Sequence, residues 1–192
     1  MAHGTTYDQL EHNTMQHSLV YASKSTLPSN EANAVHVVQM CDAFASQLQT
    51  VVLRGKRGAA HCPIEELYGL RNQFRVVYES AISRKLWLHA LRLRAWLFGV
   101  SPGVIYYGRR MNALCALAAA GYPTALELHH PPRGSAQSAQ LQAFAVQAGF
   151  LGLVVISEQL RTEILRLLPN LDPASVLVAH DGARGDRLHE PK

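Results

Sequence analysis

The residues most able to do chemistry fall in short clusters. Arg109 follows the run IYYG, Glu127, His129 and His130 sit in ELHHPP, Ser29, Asn30 and Asn33 in PSNEAN, and Asp181 and Gly182 in HDG. An imidazole such as His129 can donate a hydrogen bond to a phosphate or a sugar hydroxyl near neutral pH. The ordinary alternative is a loop histidine bonded to backbone. Glu127 lies inside an apolar run, where a buried carboxylate needs a partner. Arg109 or Arg110 can supply it, and a structural ion pair and a ligand contact both remain open. A guanidinium at Arg109 also suits a phosphate or acceptor clamp, because it meets planar oxyanions with two parallel hydrogen bonds. Ser29, Asn30 and Asn33 precede a helical pattern, so they either cap and turn the chain or bring backbone amides to an anion. Asp181 and Gly182 read as a turn or as part of the same site. Ser157 and Glu158 read as a helix cap and a first-turn charge.

Other chemistries lack their residues. The chain has no GxGxxG, GxxxxGK[ST], HExxH or DxDxD, and its one GxSxG, GVSPG at 99–103, stands between an expected helix and an expected strand rather than on the strand-to-helix turn a serine nucleophile needs. Dinucleotide, P-loop, serine-hydrolase and zinc-peptidase readings therefore have no motif in its proper setting behind them. Adjacent histidines on an extended segment point apart. With no further ligand obviously near His129 and His130, no metal is expected. Aromatic residues do not interleave with the basic ones as in an RNA-binding sheet, so nucleic acid is not an expected partner. Three cysteines in no CxxC spacing indicate neither a disulfide framework nor a thiolate metal site, and a reducing, cytoplasmic compartment is expected.

The elements that must position these residues alternate along the chain. Strands are expected at 18–23, 50–54, 74–80, 103–107, 123–128, 151–157 and 175–179. Helices are expected between them, including one opened by Asn33, a short one at 63–70 and a long one at 82–98. The strands are apolar on both faces, as a parallel sheet requires. The pattern predicts an α/β, Rossmann-like three-layer domain with a mostly parallel sheet of about seven strands. Ligands of such sheets bind beyond the carboxyl ends of the strands, here the loops after Ser23, Tyr107, Leu128 and Ala179. Residues 1–17 read as a polar extension, 18–183 as the domain, and 184–192 as a tail or the start of an interdomain connection.

Size and charge agree with one soluble domain. The chain has 192 residues, 48% hydrophobic and 17% charged, with a mean hydropathy of -0.03. No signal peptide and no spanning run is visible. The net charge is +4, but no Asp or Glu occurs from Ser80 to Leu126, where six basic residues lie. That leaves 12 of the 18 basic residues against all 14 acidic ones elsewhere. Within this positive stretch, 82–98 carries Arg84, Lys85, His89 and Arg92 beside Trp87 and Trp96. It reads as a packed crossover helix or as a basic amphipathic surface for peripheral contact with the membrane inner face.

Taken in order, LVYASKSTLPSNEANAVHVVQMCDAFA, VIYYGRRMNALCALAAAGYPTALELHHPP, LVVISEQLRTEIL and VLVAHDGA resemble the N-terminal domain of family four glycosyltransferases. The resemblance spans Leu19 to Ala183. It implies one half of a GT-B fold, two Rossmann-like domains facing a cleft, with the acceptor handled by this half. It also implies that His129 acts near the reaction centre; Ser29, Asn30, Asn33, Arg109, Glu127, Asp181 and Gly182, read from their types and positions, are the candidates to bind acceptor or phosphate around it. The function it implies is retaining transfer from a nucleotide-diphosphate sugar, a co-substrate rather than a resident cofactor, to a sugar or lipid-linked acceptor. The family's donor-binding half, with its E-x7-E motif, has no counterpart here, so this chain alone is expected to be inactive. A C-terminal domain in cis or a separate chain would complete the enzyme. The alternative is a non-catalytic binding or interaction module derived from such a domain.

Overall fold

The computed structural model describes residues 18–58, 63–79 and 103–180. Its strands are β1 (Ser18–Leu27), β2 (Thr50–Arg57), β3 (Arg75–Glu79), β4 (Val104–Gly108), β5 (Thr124–Leu128), β6 (Phe150–Val155) and β7 (Val176–Val178). The helices are α1 (Ala32–Ala45), α2 (Ile64–Tyr68), α3 (Met111–Ala119), α4 (Gly134–Ala145) and α5 (Glu158–Leu167), with a 3-10 turn at Pro173–Ser175. The seven strands form one sheet in the order β3-β2-β1-β4-β5-β6-β7. Every pairing is parallel. This is the α/β three-layer, Rossmann-like domain that the alternation of elements predicts.

Period-two alternation divides the core between the two faces of the sheet. Leu19, Tyr21, Leu53 and Tyr107 turn toward α1 and α2, where they pack with Val37, Cys41, Ile64 and Tyr68. Val20, Ala22, Tyr106, Leu126 and Val155 turn the other way, against Leu117 of α3, Phe144 of α4 and Ile164 of α5. Apolar residues on both faces are what make the strands nearly continuous hydrophobic runs in the sequence.

The order of strands places a switch point between β1 and β4. From β1 the chain winds outward through β2 to β3, then returns to β4 and winds the opposite way to β7. Loops leaving adjacent strands therefore diverge there and leave a crevice above their carboxyl ends. Gly108 lies at that seam, with φ +139, and a Cβ on it would stand 2.4 Å from the carbonyl oxygen of Ala22. No side chain fits between the two strands at this level.

Two local expectations are corrected. β1 does not end at Ser23 but continues to Leu27 through an irregularity between Ala22 and Thr26. Its polar tip is satisfied internally: Ser23 Oγ donates to Ser25 Oγ at 2.8 Å and accepts from the Ser25 amide at 3.0 Å. Asn33 does not cap α1. Glu31 holds that position and Asn33 lies inside the first turn, which frees its side chain for other work. Ser157 does cap α5, accepting from the Leu160 amide at 3.2 Å. Among the described residues, no helix is long and apolar enough to cross a membrane. Residues 82–98, Asp181, Gly182 and Cys62 lie outside the described residues.

Candidate functional site

Parallel register brings the site together. Tyr21 of β1 pairs with Tyr107 of β4, which pairs with Ala125 of β5. Two residues beyond Ala125 on the same face comes Glu127, and two beyond that His129. Glu127 is only 5% exposed. Its Oε2 accepts from Tyr21 Oη at 2.7 Å. Its Oε1 accepts from Arg109 Nε at 2.9 Å and Nη2 at 2.7 Å, and pairs with His129 Nε2 at 2.5 Å. His36 Nε2 from α1 stands 3.6 Å from the same oxygen.

The network continues across the switch point. Arg109 Nη1 donates to Asn33 Oδ1 at 2.8 Å, and Asn33 Nδ2 donates to Ser25 Oγ at 2.7 Å. One carboxylate thus ties together β1, α1, β4 and β5. The Arg109 fork is turned onto Glu127 and Asn33, so it makes the structural pair that the sequence left open and presents its charge from within that pair.

Electrostatics settle the protonation of Glu127. Burial by itself would raise its carboxyl, but the nearby His36 imidazole, the hydrogen bonds of Arg109 and His129 and the guanidinium charge outweigh burial. They hold the group well below the usual carboxylate range. An ionised Glu127 can only accept, so His129 Nε2 carries the proton in their contact. That fixes the tautomer and plane of the ring, as a carboxylate does for a working histidine. The rings of His36 and His129 meet edge to face, with centroids 5.8 Å apart. Beside them the phenol of Tyr21 is pushed far up, first by burial and then by the Glu127 charge, so it stays a hydroxyl donor. The thiol of Cys41 is raised for the same two reasons, and burial pushes Cys115 up to about 11; neither is a ready nucleophile.

The fold corrects the reasoning about metal. Ligand atoms of His36, Glu127 and His129 lie within 4.8 Å of one another, so His129 does have a carboxylate and a second histidine beside it. Two imidazoles and a carboxylate could ligate a metal ion. Yet Arg109 donates twice to the oxygen such an ion would need, and a cation there would sit against a guanidinium. The set is built to neutralise Glu127, and it fits an anion above it better than a cation within it.

Above the network opens a cavity of about 810 Å³, between the ends of β1, β4 and β5 and the starts of α3 and α4. Arg109, Glu127, His129 and His130 line it, with Lys24, Asn112 and Arg133. His130 is exposed, in the bend that follows β5, and makes no contact with the Glu127 carboxylate among those that His36, Arg109, His129 and Tyr21 make. Ser29 and Asn30 are not among the lining residues. Ser29 is spent on structure: its amide donates to Tyr68 Oη at 2.7 Å, its carbonyl accepts from that hydroxyl at 2.6 Å, and its Oγ accepts from the Glu31 amide at 3.1 Å.

Sequence reasoning missed Tyr21, His36, Ser25 and Lys24 as members of the site. His36 had a readable signal, because it follows Asn33 by three positions and so shares its helix face. Tyr21 had none, since its partner is 106 residues away. No protein-family model matches the chain, and no curated protein matches it at a significant level.

Proposed function

We propose that this domain is the acceptor-side half of a retaining glycosyltransferase that uses a nucleotide-diphosphate sugar. A donor-binding half, in cis or on a separate chain, would complete it. The observation that carries the reading is the Glu127–His129–Arg109–Asn33 network at the carboxyl ends of β5, β4 and β1, on the floor of a cavity. A sheet of this type binds ligands at that position. Transfer demands fixed donors for charge that develops as the diphosphate leaves, and an acceptor hydroxyl held in line.

In this reading His129 is the catalytic residue, its ring held by Glu127 so that it meets the reacting sugar or phosphate in one orientation. Arg109 keeps Glu127 ionised and in place beneath the cleft. Asn33 and Tyr21 are positioning residues that act through Arg109 and Glu127. The chain supplies electrostatics and alignment rather than a nucleophile.

Radiolabelled nucleotide-diphosphate sugars and a panel of acceptors test the proposal. The full chain alone should give no transfer above background. Joined to a donor-binding domain of a family four enzyme, it should transfer with retention at the anomeric carbon, and His129→Ala should abolish this. Acceptor binding without transfer in either form would replace the proposal with a binding module. Robust turnover by the isolated chain would show that one half suffices.

A further inference from the structure

The cavity carries more positive charge than its floor uses. Arg109 is neutralised by Glu127, the one acidic residue on the wall among the described residues. Lys24, at the irregularity of β1 between Ala22 and Thr26, and Arg133, just before α4, remain. Both are exposed, and among the described residues neither side chain has an acidic partner. His130 adds an imidazole to the same wall. Two uncompensated cations match a phosphomonoester, which carries about −1.5 to −2 at pH 7, better than they match a carboxylate.

The helix starts reinforce this sign. α3 and α4 both begin at the cavity, neither has an acidic residue in its first turn, and neither N-cap side chain closes its helix, although Gln137 Oε1 accepts from the Arg133 amide at 2.7 Å. Their amide ends therefore add positive potential to that of the side chains. The size of the cavity says that the anion is part of something larger. About 810 Å³ falls in the usual range for a small-molecule site of roughly 300–1,000 Å³ and far exceeds one phosphate. The same wall holds neutral groups suited to hydroxyls. Gln140 Nε2 donates to Asn112 Oδ1 at 2.7 Å, which leaves a donor on Asn112 and an acceptor on Gln140.

We propose that the cavity binds a phosphorylated sugar or polyol, its phosphate held by Lys24 and Arg133 and its hydroxyls by Asn112 and Gln140, and that this molecule is the acceptor. Only the word acceptor rests on the glycosyl-transfer reading; the binding itself is independent of it.

Calorimetry and amide chemical shifts on the full chain test it, with inorganic phosphate, glucose 6-phosphate, glucose, uridine diphosphate and phosphatidic-acid vesicles as probes. Glucose 6-phosphate should bind more tightly than inorganic phosphate and shift the amides of Asn112 and Ser135, while glucose alone should not. The double variant Lys24→Ala/Arg133→Ala should weaken that binding at least about tenfold, as expected for losing charge-assisted hydrogen bonds. Lys24→Arg/Arg133→Lys should restore most of it, and Arg166→Ala on α5 should change nothing. Absence of binding at about 50 mM phosphate, where even a millimolar site is filled, would overturn the proposal. So would affinity unchanged in the double alanine variant. Uridine diphosphate displacing glucose 6-phosphate at higher affinity would assign the cavity to the donor, and binding to vesicles alone would assign it to a lipid surface; either result overturns it. Phosphate binding without transfer by the joined enzyme would fail the transferase reading and leave the site standing. Transfer to a neutral acceptor without phosphate binding would do the reverse.

Discussion

Two carboxylates are buried among the described residues, Asp42 at 1% exposure and Glu127 at 5%, and they are satisfied in different ways. Asp42 Oδ1 accepts from the backbone amides of Arg71 at 3.0 Å and Asn72 at 2.8 Å. Asn72 Nδ2 returns the contact to the Asp42 carbonyl at 3.0 Å. Most of those donors are peptide groups, and the result is a clasp between α1 and the loop before β3. Glu127 takes its hydrogen bonds from the side chains of Tyr21, Arg109 and His129, and a cavity lies over it. A carboxylate held by backbone fastens the chain. One held by ionisable side chains at the mouth of a sheet stores charge where a ligand can feel it.

The comparison can be broken by substitution. Asp42→Ala should have the largest effect on stability, about 3 kcal/mol, because two amides lose their acceptor in a partly buried loop. Urea unfolding measures the loss, and glucose 6-phosphate binding should be unchanged. A large change in binding would mean that the clasp and the site are one unit.

Glu127→Gln comes next, with a loss of about 2 kcal/mol at pH 7 from weakened charge-assisted bonds and a less well paired Arg109. The pH dependence sharpens the contrast. The folded protein holds the Glu127 carboxyl below its unfolded value. Its contribution is therefore complete above the ordinary carboxylate range and is lost as pH falls through and below that range. The parent and Glu127→Gln unfolding curves should differ most near neutrality and converge in acid. Curves that stay parallel down to low pH would show that Glu127 is not held ionised.

Tyr21→Phe should cost less, about 1 kcal/mol, since it removes one donor and leaves the carboxylate its other partners. The smallest loss of stability belongs to His129→Ala, below about 1 kcal/mol by thermal unfolding, because the ring is partly exposed and Arg109 keeps Glu127 paired. That variant should nevertheless lose sugar transfer by the joined enzyme entirely. A loss of stability as large as that of Asp42→Ala would make His129 a second clasp.

The fold was legible because its signal is redundant. Each strand is apolar on both faces and each helix follows at a short interval, so an error at one boundary leaves the topology intact. Boundaries failed where side chains satisfied one another locally. Ser23 and Ser25 made the end of β1 look like loop, although their mutual hydrogen bond lets the strand run on. The site was legible only in part. Glu127, His129 and Arg109 stand at strand ends with types that invite chemistry, whereas Tyr21 reads as core until its hydroxyl is given a partner. Lys24 looks like any solvated lysine, and only the cavity wall gives it a role. What no local pattern could reveal is which distant residues share an oxygen atom.

That sharing orders events in time. The Asp42 clasp joins residues 30 apart, while Arg109 reaches Asn33 across 76 and Tyr21 reaches Glu127 across 106. On a ribosome adding about 5–20 residues per second, Tyr21 waits roughly 5–20 s for its carboxylate to be made. The β1–β3 side can close around Asp42 during that interval, with Tyr21, Ser25 and Asn33 still short of their partners. The Glu127 seam is then sewn well after the clasp, and a nascent chain stalled before β5 would carry a finished clasp and none of the Glu127 network.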